Sequence, residues 1–125
     1  MQHHPMLVEL VNHRDGEALR VKIDQSAAIL DVADLDALIQ HLAVLRAKMH
    51  PAISPHISRQ HQYAIEIDPC WYTEKHPLYD GAVVFFRHTG FNWAGFAVPQ
   101  ESLVKLIDAL SQHAEASQEM YSVPN

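Results

Sequence analysis

The chain is expected to adopt an α+β fold, an antiparallel sheet of about five strands with two helices packed on one face, in the order ββα-βββα. Three observations carry this. Residues 6–24 and 81–98 each hold two apolar arms about a turn. Residues 31–49 and 99–114 repeat apolar side chains at three- and four-residue spacing. Proline or glycine punctuates most of the joins. The length of 125 residues suits a single α+β domain over 1–125, with flexible ends at 1–5 and 115–125.

In the first hairpin Met6, Val8 and Leu10 alternate along one arm and Leu19, Val21 and Ile23 along the other. Arg14-Asp15-Gly16 supplies the turn, with Gly16 able to take positive φ at no steric cost. The first helix places Leu35, Leu38, Ile39, Leu42, Leu45 and Met49 on one face. Asp31 suits its N-cap, Asp34 and Asp36 complement the dipole at its start, Arg46 and Lys48 do so at its end, and Pro51 stops it. A loop with Pro51 and Pro55 follows. Next comes an expected strand with Tyr63, Ile65 and Ile67 on one face and Ala64, Glu66 and Asp68 on the other, closed by Pro69. Cys70 to Asp80 reads as irregular.

The second hairpin runs through 81–88 and 91–98 about Thr89-Gly90. Its first arm, Ala82 to Phe86, is apolar on both faces, as in a central strand or one covered by a partner. Pro99 then opens a helix to about Ala114, with Leu103, Leu106, Ile107 and Leu110 facing inward. Leu35-x-x-Leu38-Ile39-x-x-Leu42 recurs as Leu103-x-x-Leu106-Ile107-x-x-Leu110. Two related halves would show this pattern, and so would any two core-facing helices.

Composition limits the function. Nine Lys plus Arg against fifteen Asp plus Glu leave a net charge of -6, and the basic residues are scattered, which disfavours nucleic acid as a partner. Ten histidines would carry that charge as high as +4 if all were protonated, so the surface charge swings between pH 5 and 7. No apolar stretch reaches the ~20 residues of a membrane span, and the first residues do not read as a signal peptide. One cysteine, Cys70, cannot close an intramolecular disulfide, so a cytoplasmic protein is expected.

Chemistry finds few anchors. His50, His56 and His61 are metal-ligand types on one loop, but their spacing across two prolines matches no preorganised site; neither a metal nor another cofactor is expected. Cys70 with His76 or His88 has the residue types of a thiol nucleophile and its base, without a third group to orient them. Glu66 and Asp68 would share one strand face, which the alternation turns toward water. The four glycines form no phosphate loop, and no nucleophile elbow is present.

Eight of the ten aromatic residues lie between 71 and 96, more than a sheet with one covered face can hide. The expected function is therefore a small, acidic, histidine-rich, non-catalytic protein-binding domain of accessory, chaperone-like or immunity type. It would be a homodimer using an aromatic sheet face, with another protein as a further partner and no membrane. The alternative is a small-molecule-binding protein or minor enzyme with a pocket between residues 70–80 and the sheet. Trp71, Tyr72, Tyr79, Phe91, Trp93, Cys70, His76 and His88 are the candidate interface or ligand residues on both accounts.

Overall fold

The computed structural model describes residues 5–14, 16–60, 62–78 and 80–121. It corrects the expected single sheet of about five strands in the order ββα-βββα. Among the described residues six strands form two three-stranded antiparallel sheets, and the order is βββα-βββα. The elements are β1 (Met6–His13), β2 (Gly16–Ile23), β3 (Ser26–Leu30), α1 (Val32–Lys48), β4 (Trp71–Lys75), β5 (Gly81–His88), β6 (Asn92–Pro99) and α2 (Gln100–Tyr121). The chain divides into two compact units, Met1–Gln62 and Tyr63–Asn125, each a meander of three strands followed by one helix.

In the N-terminal unit β1 pairs with β2 so that Val8 faces Val21 and Leu10 faces Leu19, while β2 pairs with β3 so that Leu19 faces Leu30. Directly opposed residues share a sheet face. Leu10, Leu19 and Leu30 therefore form one apolar row, and Val32 and Leu35 at the start of α1 close a small cleft with it. The other face carries the cross-strand Glu9–Arg20 ion pair. In the hairpin turn it is Arg14, at φ 52, that takes the left-handed conformation.

β3 is absent from the expected order because its signals are faint. Ala27 and Ala28 blur the alternation, and the two-residue turn at Asp24-Gln25 has no glycine; Asp24 itself adopts φ 53. The helix that follows matches its local signals. The Asp31 side chain accepts from the backbone N–H of Asp34 at 2.8 Å, and the Met49 N–H donates to the Arg46 carbonyl at 3.1 Å, next to a cis His50–Pro51 peptide.

In the C-terminal unit two further expectations change. The strand expected over Tyr63 to Asp68 is not formed: 62–66 are irregular, 67–68 bend, and no strand among the described residues pairs with them. Trp71–Lys75, expected to be irregular, is instead the edge strand β4, paired with β5 so that Trp71 faces Phe86 and Thr73 faces Val84. β5 is central, as its two apolar faces imply, and pairs with β6 so that Val84 faces Phe96 and Phe85 faces Gly95. Pro99 ends β6, and α2 runs from Gln100 to Tyr121. Burial is thin throughout: among the described residues Ala18, 6% exposed, is the buried hydrophobic, and no large side chain is fully buried.

Candidate functional site

The alternation along β4, β5 and β6 sorts the C-terminal sheet into two faces. Trp71, Thr73, Val84, Phe86, Phe96 and Val98 share the first, and α2 lies over that face. Leu103, Leu106, Ile107 and Leu110 line the helix side, since residues three and four apart on a helix stack along one stripe. The two rows do not close on each other. They bound an open groove of about 570 Å³ in which Thr73 is the one polar lining residue. Trp71 is 66% exposed, Phe96 57% and Ile107 54%, so the groove presents apolar surface to its surroundings.

Tyr72, Glu74, Phe85 and Trp93 share the second face and line a shallow depression there. Its floor depends on Gly95. A Cβ at that position would lie 2.6 Å from Cε1 of Phe85, so the ring lies over the glycine. The Tyr72 and Phe85 ring centroids are 6.1 Å apart, tilted at 35°.

The expected site residues are thus divided. Trp71 belongs to the groove, and Tyr72 and Trp93 to the opposite face. Phe91 lies in the β5–β6 turn with its ring centroid 4.5 Å from that of His88. His88 Nδ1 accepts the backbone N–H groups of Gly90 (3.0 Å) and Phe91 (3.1 Å), which places the ring proton on Nε2 and assigns the imidazole to turn structure. His76 Nδ1 accepts the N–H of Leu78 at 3.0 Å, and its ring lines a small cavity with Ala97, Val98 and Pro99. Cys70 is exposed and its carbonyl accepts the Arg87 N–H at 2.9 Å. The whole of β4 separates Cys70 from His76, six residues or about 20 Å of extended chain. The structure therefore does not bring Cys70 and His76 together as a nucleophile and base. Because 71–75 is built into the sheet as its edge, that stretch does not roof a pocket over it.

His50 and His56 are exposed on the loop after α1, and no three His, Cys, Asp or Glu side chains converge among the described residues. Tyr79 and His61 lie outside the described residues. Phe86, Phe96 and the α2 leucines enter the site beyond the expected set. Alternation marks them as apolar, but their spacing is the same whether or not something covers them.

Glu66 has a structural task. Its carboxylate accepts the Thr89 backbone N–H at 2.7 Å, tying the segment before β4 to the β5–β6 turn. That bond, a second from the Thr89 side chain, and the nearby Arg87 charge hold the Glu66 carboxyl below the usual glutamate range. The lowered pKa means that the tie is present at neutral pH and is lost as pH falls through that value. The Thr89 amide resonance should therefore move in acid with a midpoint below that of an ordinary glutamate, and Glu66→Gln should abolish the transition. A midpoint in the ordinary glutamate range would show that the carboxylate is free.

The chain matches no protein-family model, no curated protein and no solved structure. No helix among the described residues is long and apolar enough to cross a membrane.

Proposed function

We propose that this chain is a non-catalytic, cytoplasmic protein-binding module that works as a homodimer, with the groove between α2 and the C-terminal sheet as its self-association surface. The observation that supports this reading is the uncovered apolar lining of that groove. Trp71, Phe86, Phe96, Leu106, Ile107 and Leu110 together expose roughly 600–700 Å². A standard stable interface takes about 800 Å² from each partner. A second copy offers the same aromatic row and the same aliphatic row, which is what an isologous contact requires. The net charge of -6 would favour a basic protein as the further partner. A small molecule in the groove would have the Thr73 hydroxyl and the Trp71 indole N–H to orient it, and an organic adduct on the chain is the result that would favour it.

A native mass spectrum of untagged protein, purified without a metal column, tests the reading. Two chains and no added mass are expected. A single chain at tens of micromolar, or one carrying an organic adduct, would overturn it. The face is tested separately. Trp71→Ala should weaken the dimer at least tenfold, and Trp93→Ala, on the opposite face, should leave it unchanged.

A further inference from the structure

We propose that the shelf formed by Tyr72, Phe85, Trp93 and Glu74, on the face away from α2, binds the cationic head of a lysine or arginine side chain on a basic partner protein. The proposal rests on the protein-binding reading above and names the chemistry of the further partner. Three aromatic rings and one carboxylate meet on a single sheet face because β4, β5 and β6 each contribute to it in register. Aromatic faces carry negative electrostatic potential, and cations are drawn to within about 6 Å of a ring centroid. Tyr72 and Phe85, with ring centroids 6.1 Å apart and planes inclined at 35°, offer two such faces, and the absent side chain of Gly95 lets the Phe85 ring lie over that position. The depression is about 320 Å³, room for a guanidinium or ammonium head and part of its aliphatic stem.

Charge on the shelf points the same way. Glu74 is exposed and has no ion-pair partner among the described residues. The cation on this face, Arg87, stands opposite Trp93, while Glu74 stands opposite Val83. Four residues of β5 separate those positions, about 13 Å. Glu74 therefore lies at the end of the shelf away from Arg87, and Arg87 is not among the residues that line the depression. An acidic chain would draw a basic segment toward this surface, and the rings would hold one head group of it.

Amide and indole N–H spectra recorded on the full chain test the proposal with three capped tripeptides: glycine-arginine-glycine, glycine-lysine-glycine and the neutral glycine-norleucine-glycine. The two cationic peptides should shift the Trp93 indole and Gly95 amide resonances in a saturable way at millimolar concentration. The norleucine peptide should not, and Glu74→Gln should weaken the response at least threefold while the remaining spectrum stays folded. No shift, or an equal shift with norleucine, would overturn the proposal. A larger shift with choline than with either cationic peptide would also overturn it, in favour of a small quaternary ammonium ligand. A protein of two chains that ignores the peptides would remove only the shelf. A single chain that responds to them would remove only the dimer.

Discussion

Gly81→Ala is expected to unfold the C-terminal unit at temperatures where the wild type is intact. Gly81 sits at φ 128, a conformation closed to side chains with a Cβ. An added methyl would also run into the Val98 carbonyl oxygen and approach the Gln100 nitrogen to 3.0 Å, all of it backbone. The position opens β5 opposite Pro99, where the Gln100 N–H donates to the Asp80 carbonyl at 3.1 Å and joins the first residue of α2 to the sheet. Neither side of the junction can retreat without breaking the ladder or lifting the helix. A destabilisation of about 3 kcal/mol or more follows from the strain and the clash together. In a unit of this size that lowers the melting midpoint by about 12–24 °C. Gly16→Ala is the control: its Cβ would meet nothing within 4 Å and its φ is ordinary, so its stability should stay within about 0.5 kcal/mol of wild type. Equal melting of the two variants would refute the account of Gly81.

Ile107→Asp should separate the two chains of the proposed dimer. Ile107 lies mid-groove on α2 and is already more than half exposed, so a carboxylate there leaves the secondary structure intact in circular dichroism. In the proposed groove-to-groove dimer the same carboxylate would be taken out of water, and symmetry would bring in two of them. An unpaired buried charge costs several kcal/mol, so the dissociation constant should rise at least ~100-fold. Sedimentation equilibrium reads this directly. An Ile107→Asp protein that still runs as two chains at low micromolar concentration would place self-association on another surface.

Periodicity made part of this architecture legible. The β1–β2 pair, α1, the β5–β6 pair and the start of α2 carry patterns that belong to one kind of element, and Asp31 caps its helix as its residue type implies. The errors lie where a pattern needs a neighbour to become structure. Tyr63, Ile65 and Ile67 alternate as a strand would, yet no strand lies beside them, and Asp68 at φ 50 turns the chain before Pro69. Trp71–Lys75 has no clear apolar face, yet pairing with β5 makes it a strand. That switch also decided the site. With 71–75 as an edge strand, Trp71 and Tyr72 necessarily point to opposite faces, and one aromatic cluster became two surfaces. Nothing in the α2 leucines distinguishes an apolar stripe that is covered from one left open.

The two meanders also set how this chain acquires its fold. Every strand pairs only with its neighbour in sequence, β1 with β2 with β3 and β4 with β5 with β6, so each sheet forms from short loop closures. The hydrogen-bond ladder of the first sheet is complete in sequence at Leu30, and its helix at Lys48. At about 5–20 residues per second, a ribosome takes several seconds more to deliver the rest of the chain. Hairpins and helices of this kind form in microseconds. The N-terminal sheet therefore has all its pairing partners in the chain while the second is still being synthesised, and β1 need not wait unpaired for a distant partner.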